Sequence, residues 1–320
     1  MSRFISGFSA KLDAFLECRT AHGYKENSYV RYLVRFDRFC MTHYPELSEL
    51  TCEAVHNWLD NEKTNANAFS YRATTIRQFA IYLDAIGENA YVLPEKFATN
   101  QSAFIPHIFT DSEISALFTA IDALPIYTRE PYLNKIAPVM FRLMYTCGLR
   151  PNEGRTLLAE NVNLKTGEIL ITHTKCNKER LVVMSDDMLK MARKYDRQRH
   201  IIGEGNPCFF PASGGGSFTS EQIYRVFNKA WTASSCSIRN PVPRRVRVYD
   251  LRHRFASACL NRWLDNGENL MNMLPYLRAY MGHSSLNETA YYIHILPENL
   301  VKTSAINWDA FNAMLPEVDV

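Results

Sequence analysis

The chain has 320 residues, 47% of them apolar and 12% aromatic, with a formal net charge of +3. That length exceeds what one core usually fills, so two domains are expected, and the apolar share excludes a disordered or low-complexity protein. The charge is too evenly spread to identify a partner by itself: up to Asn100 there are 11 basic against 12 acidic residues, and after it 25 against 21. Clustering on a face is what matters electrostatically. The 8 cysteines contain no Cys-x-x-Cys pair and sit mostly in apolar or helical settings, which argues against both a disulfide framework and a zinc ribbon. The N-terminus lacks a basic-then-apolar leader, and no apolar run approaches the roughly 20 residues that cross a bilayer. A cytoplasmic protein without membrane contact is expected.

In the first hundred residues, apolar side chains recur at three- and four-residue spacing: Phe8, Leu12, Phe15 and Leu16, then Tyr29, Leu33 and Phe36, then Val55, Trp58 and Leu59, then Ile76, Phe79, Ala80 and Leu83. The pattern predicts a compact helical bundle. Arg31, Arg35 and Arg38 lie along one of its helices, and Arg72 and Arg77 along another. Such faces suit a phosphate backbone, although the outside of any bundle is also charged. Between Leu93 and His107 the periodicity breaks around Pro94 and Pro106, which reads as an interdomain linker.

Thr110-Asp111-Ser112-Glu113 supplies a helix start, an N-cap followed by acidic first-turn residues. The apolar run Ile136 to Cys147 predicts a buried helix stopped by Gly148, so that Arg150 emerges just past its end. From Glu168 the period changes to that of strands, with Ile169 to Thr172 and Leu181 to Val183 forming a hairpin tipped by Lys175-Cys176-Asn177-Lys178. Helices return at about Ser220 to Ala233, Asp250 to Leu264, Leu270 to Met281 and Leu286 to His294. Two basic clusters stand out. Lys190, Arg193, Lys194, Arg197 and Arg199 read equally well as a solvated helix face, whereas Arg244, Arg245, Arg247, Arg252 and Arg254 fall within eleven residues. Gly214-Gly215-Gly216 lacks the Gly-Lys-Ser/Thr continuation of a nucleotide-binding loop and reads as a flexible connection. The residues after Pro297, including Leu300, Val301, Ile306, Trp308, Phe311 and Leu315, are too apolar for a free tail and are expected to dock.

Several of these residues suit attack on a phosphodiester. Guanidinium stays charged and pairs bidentately with two oxygens, so Arg150 and Arg252 are candidate clamps on one phosphate. His283, in a Gly-His turn, can donate to the phosphate, and Lys175 can protonate a leaving oxygen. A tyrosine is a weak nucleophile until positive charge or a proton acceptor stands beside it. Taken singly, each of these has an ordinary structural explanation, and any of the 17 tyrosines is usually a half-buried packing residue.

Together, Gly148-Leu149-Arg150-Pro151-Asn152-Glu153, Thr174-Lys175-Cys176-Asn177-Lys178-Glu179-Arg180, Asp250-Leu251-Arg252-His253 and Met281-Gly282-His283-Ser284-Ser285 through Tyr292 resemble, in order and spacing, the signature blocks of the tyrosine recombinase (phage integrase) family. The resemblance covers about Phe109 to Pro297, and the first part looks like that family's core-binding domain. It implies a mainly α fold with a small β-hairpin, an α+β catalytic domain. The domains would be a helical DNA-binding domain at 1–98, a linker at 99–108 and a catalytic domain at 109–320 with a docking segment from about 298. It further implies a site-specific DNA recombinase that works through a 3′-phosphotyrosyl link without metal, ATP or another cofactor.

By the same resemblance Arg150 and Arg252 hold the scissile phosphate, Glu153 supports Arg150, Lys175 acts as general acid, and His283 bonds the phosphate or assists the nucleophile. Register selects Tyr292 over Tyr291 as nucleophile. The family usually has histidine three residues before the second arginine; here Tyr249 stands there, able to donate a hydrogen bond but not to carry a positive charge. His253 fits helix packing. Arg31, Arg35, Arg72, Arg77, Arg244, Arg245 and Arg247 are the candidate DNA contacts. The implied partners are double-stranded DNA and further copies of the chain, a tetramer on paired sites with C-terminal segments exchanged between protomers, in a bacterial-type cytoplasm and on the nucleoid when bound. A type IB topoisomerase-like enzyme remains an alternative, as does a sequence-specific DNA-binding protein with impaired catalysis, which Tyr249 keeps open.

Overall fold

The computed structural model describes residues 3–24, 27–61, 66–98, 106–172, 179–234 and 246–294. The chain divides into two compact units, Met1–Ile105 and Pro106–Val320. In the first, α1 (Ser9–Ala21), α2 (Asn27–His43), α3 (Cys52–Asn61) and α4 (Ala66–Ala85) pack around the apolar positions that the spacing marks out. Aromatic side chains fill much of that core, with Phe36 edge-on to Trp58 at 5.2 Å and Phe15 against Phe79 at 5.5 Å. The chain before α1 is tied to α2 by buried Asp37, whose carboxylate accepts from the backbone N–H groups of Ile5 and Ser6 at 2.8 and 2.9 Å.

One arginine of this bundle is not where a DNA contact would need it. Arg72 is 0% exposed, its guanidinium lies 5.4 Å over Trp58 and donates to the Leu59 carbonyl. It shares the inward stripe of Ile76, Phe79 and Leu83, so its charge is satisfied inside the bundle rather than offered to a ligand. Arg77 is half-buried and donates from Nε to the Leu93 carbonyl at 2.9 Å. Arg31, Arg35 and Arg38 are exposed along α2.

The second unit opens at α5 (Asp111–Asp122) with a capping box, Thr110 receiving the Glu113 N–H and the Glu113 carboxylate receiving that of Thr110. Its central helix is α6 (Leu133–Thr146), longer at the start than the apolar run suggests, followed by the short α7 (Pro151–Arg155). Strands β1 (Glu168–Ile171) and β2 (Arg180–Val183) pair antiparallel with Leu170 opposite Leu181. Ile169, Ile171 and Val182 face the core while Leu170, Leu181 and Val183 face out. The basic cluster after β2 lies on α8 (Asp186–Ile202), where Lys190 pairs with Asp187, Arg199 with Asp196, and Arg193 donates to the carbonyls of Leu164 and Lys165. Helix α9 (Ser220–Ala233) closes the main core, Phe227 lying 5.7 Å from Phe141 of α6.

The final described helices, α10 (Asp250–Asp265), α11 (Leu270–Met281) and α12 (Leu286–His294), form a separate apolar corner from Ala256, Leu260, Leu270, Leu274, Leu277, Met281, Ala290 and Tyr292. This corner is built from three consecutive helices. Among the described residues no helix is long and apolar enough to cross a membrane. Lys175, Arg244, Arg245 and the segment 298–320 lie outside the described residues.

Candidate active site

The site begins where α6 ends. Gly148 takes a left-handed conformation at φ +60°, and the Leu149 N–H returns to the Met144 carbonyl at 3.1 Å, closing the helix. A Cβ at Gly148 would sit 2.4 Å from the ring of Phe255, so the turn excludes a side chain on two grounds. Arg150 follows, held extended at φ −65° and ψ 146° by the proline after it, and Pro151 starts α7. Glu153, in the first turn of α7, accepts the Arg150 N–H at 2.8 Å and an Arg150 guanidinium nitrogen at 2.9 Å.

Arg252, on the first turn of α10, is 0% exposed. Its terminal nitrogens donate to the carbonyls of Gly148 at 2.7 Å and Met281 at 2.6 Å, while Arg150 donates to that of Gly282 at 2.8 Å. Arg252 is therefore anchored by backbone of the turns that end α6 and α11, and Arg150 by that of the turn that ends α11. Burial, then the charge on Arg150, pushes Arg252 below its ordinary pKa. Burial also opposes the Arg150 cation, but the hydrogen bond and charge of Glu153, joined by the hydroxyl of Tyr249, outweigh it and raise its pKa. Burial pushes Glu153 upward too, yet Arg180 and Arg150 overcome that and hold its carboxyl at about 2.

Gly282 ends α11 in the left-handed region at φ +65°, which turns His283 back toward the arginines. The imidazole is buried, its Nδ1 2.8 Å from the Thr289 hydroxyl on α12. Burial, then Arg252, lowers its pKa to about 3, so it is neutral at physiological pH. Tyr292 follows Thr289 by three residues, on the same helix face. Its ring stacks on His283 with centroids 5.9 Å apart and planes 12° from parallel, and lies 5.4 Å from His253. His253 in turn lies 5.1 Å from Tyr249, an aromatic packing role.

Tyr292 is 3% exposed and Tyr291 38%. Burial raises the Tyr292 phenol to about 12 although the charge and hydrogen bond of Arg252 work the other way, so the free protein holds it protonated. Arg150, Glu153, Tyr249, Arg252, His283 and Tyr292 thus share one site. Arg247 instead pairs with buried Asp250 at 3.2 Å. Two residues of the site were not singled out from the sequence. Arg180 begins β2 on the same strand face as buried Val182, a position where a cation needs a carboxylate partner, and it chelates Glu153 at 2.9 and 2.7 Å. Thr289 carries no comparable signal until the helix face of Tyr292 is known.

The sequence profile of the Phage integrase family matches residues 107–299. A putative integrase/recombinase, y4rB, of Sinorhizobium fredii is 25% identical over 306 residues, covering 92% of this chain and 95% of its own. The tyrosine recombinase XerD of Rhizobium meliloti is 26% identical over 304 residues, covering 91% of this chain and 93% of its own. In fold, the chain is similar to the XerH site-specific recombinase bound to a palindromic difH substrate in a post-cleavage complex, with a TM-score of 0.64, 17% identity and coverage of 88% and 79% of the two chains. It is also similar to the Tn1549 transposon integrase in complex with transposon right end DNA, with a TM-score of 0.61, 13% identity and coverage of 94% and 96%. The profile spans more than half of the chain, and the chain belongs to the phage integrase family of tyrosine recombinases.

Proposed function

We propose that this recombinase cleaves and rejoins double-stranded DNA through Tyr292. The phenol oxygen attacks the scissile phosphorus as its proton passes to water, the bond to the 5′ oxygen breaks, and a 3′-phosphotyrosyl link forms. A proton from Lys175 restores the leaving 5′-hydroxyl. In the reverse step a 5′-hydroxyl from another strand gives its proton back to Lys175 and attacks the link, the bond to the phenol oxygen breaks, the DNA is rejoined, and the departing phenolate takes a proton from water. Bond energy is retained in the phosphotyrosyl link, so the exchange calls for no nucleotide cofactor.

The observation that supports this most is the placing of a buried phenol against a neutral histidine with two anchored guanidiniums beside it. Charge on the equatorial oxygens of the transition state meets cations already in position, and preorganised donors are worth far more than mobile ones. Arg150 and Arg252 each use some of their five N–H groups on the protein and keep others for the phosphate. Tyr249, bonded to Arg150, donates its hydroxyl to a phosphate oxygen where the family usually has histidine. His283, neutral, supplies a ring N–H to the same phosphate. The exposed arginines of α2, Arg31 and Arg35, track the DNA backbone from the helical unit. Exchange between two duplexes calls for four active sites, hence a tetramer on paired sites.

A pool of nicked duplexes with randomised sequence, from which covalent adducts are recovered under denaturing conditions, tests the reading and reveals the site. Wild type and Tyr291→Phe are expected to form the adduct and Tyr292→Phe to form none; an adduct with Tyr292→Phe would overturn the assignment. Arg150→Ala is expected to slow adduct formation by about 100-fold or more. Excess EDTA is expected to leave the wild-type rate unchanged.

A further inference from the structure

We propose that Arg180 is a positioning residue of strand cleavage: it grips both oxygens of Glu153 and the Tyr280 carbonyl, fixing the carboxylate that orients Arg150 and the turn that presents His283. The inference rests on the reading of Arg150 as a phosphate clamp. Glu153 Oε1 accepts Nη1 of Arg150 and Nη1 of Arg180, each at 2.9 Å. Its Oε2 accepts the Arg150 backbone N–H at 2.8 Å and Nη2 of Arg180 at 2.7 Å. A carboxylate has about four acceptor directions, and all are filled, two by each arginine. Glu153 therefore cannot swing, and the Arg150 guanidinium hangs from a fixed point.

The third contact extends the same grip. Arg180 Nε donates to the Tyr280 carbonyl at 2.8 Å, two residues before Gly282. A Cβ on Gly282 would lie 3.1 Å from Arg180 Cδ and 3.2 Å from its Nη1, so the guanidinium is laid directly against the turn that carries His283. One side chain thus joins α7, β2 and the end of α11. Its own side chain is 8% exposed, and that of Glu153 is 5% exposed. Without Arg180 the buried carboxylate would keep one cationic partner, and an incompletely paired buried charge is neutralised by taking up a proton. Protonated Glu153 would no longer accept at every site, and Arg150 would lose its fixed support.

Charged and titratable groups face this pair from several elements. Glu153 feels Arg150 and Arg180, Arg252 on α10 feels Glu153, Tyr249 acts on Arg150, Glu288 on α12 feels Arg150, and Tyr280 and His283 at the end of α11 feel Arg180. Helix α9 brings Glu221 and Tyr224 to Pro151 and Arg155 of α7. Of these, Arg180 is the largest influence holding Glu153 ionised against burial.

The test compares wild type, Arg180→Met, Arg180→Lys, Glu153→Gln and the Met/Gln double variant on the nicked duplex recovered with wild type. Adduct rate is followed from pH 5 to 9, duplex affinity is measured separately, and thermal unfolding checks the fold. Arg180→Met is expected to slow adduct formation by about 10- to 100-fold, as supports of directly acting groups do, with affinity little changed. Its rate should also fall on the acid side at a pH where wild type is still flat, because Glu153 then protonates within the range. In the Glu153→Gln background the same substitution should add little. A wild-type rate and pH profile in Arg180→Met, or a full and additive loss in the Gln background, would overturn the proposal. Should the Met variant not fold, Arg180→Lys decides: it keeps the charge but not the chelate, so an intermediate rate supports the proposal and a wild-type rate overturns it. Absence of any adduct with wild type would instead overturn the reading of the site on which the proposal rests.

Discussion

Thr289 shows how closely the site is specified by single side chains. It is fully buried, and its hydroxyl satisfies His283 Nδ1, leaving Nε2 of the ring as the nitrogen proposed to meet a phosphate oxygen. Thr289→Val keeps the shape but leaves Nδ1 buried without a partner, a loss on the order of 1–3 kcal/mol in stability. Urea unfolding should show that loss and adduct formation should slow, while Thr289→Ser should retain both properties; a Val variant equal to wild type would remove Thr289 from the site. At this scale the sequence was least legible where periodicity carried charge inward. Arg72 stands four and seven residues from Ile76 and Phe79, which places it on the apolar stripe, and grouping it with Arg77 by composition obscured that. Arg180 alternates with Val182 in the same way. Motif register drew attention to Arg150, Arg252, His283 and Tyr292, whereas the bonds of Arg150 to Gly282 and of Arg252 to Gly148 cross more than a hundred residues and depend on tertiary packing.

At the scale of elements, glycine turns do most to position the chemistry. Gly148 has φ +60°, its carbonyl accepts from Arg252, and any side chain on it would meet Phe255. Gly148→Ala combines backbone strain with overpacking, an expected destabilisation on the order of 2–4 kcal/mol. It should also slow cleavage more than it weakens DNA binding, because the displaced carbonyl and Arg150 belong to the same turn. Denaturant unfolding together with adduct kinetics checks both, and an unchanged midpoint would sink the argument. Element limits were legible where a stop or cap is coded locally: α9 begins at the capping box of Thr219, and α11 runs from the Asn269 cap to the left-handed Gly282. Helix α6 starts at Leu133, ahead of the apolar run, because the first turn of a helix needs no intrahelical partner for its N–H groups and so leaves a weak pattern.

For the molecule as a whole, the buried histidines make stability depend on acidity. His253 and His283 are held neutral by burial, at about 4 and about 3, against an ordinary value of 6.5. Below 6.5 the unfolded chain therefore binds protons that the folded chain refuses, and stability falls with pH from there toward about 3. Glu153, depressed to about 2 from 4.5, adds a loss in the same direction at still lower pH. Urea midpoints measured at pH 7, 5.5 and 4.5 should decline in that order; equal midpoints would mean that these histidines are solvated. This behaviour was not legible in the sequence, which pointed to a packing role for His253 but gave no measure of how deeply either ring is buried.

The seclusion of Tyr292 has one more consequence. A recombinase idle between DNA encounters faces water and dissolved electrophiles for far longer than it faces a duplex. Its phenol, protonated and 3% exposed, is out of their reach, while its neighbour Tyr291 meets them. The apolar corner of α10, α11 and α12 is thus also a place of storage, in which the proposed nucleophile is kept chemically quiet between one strand and the next.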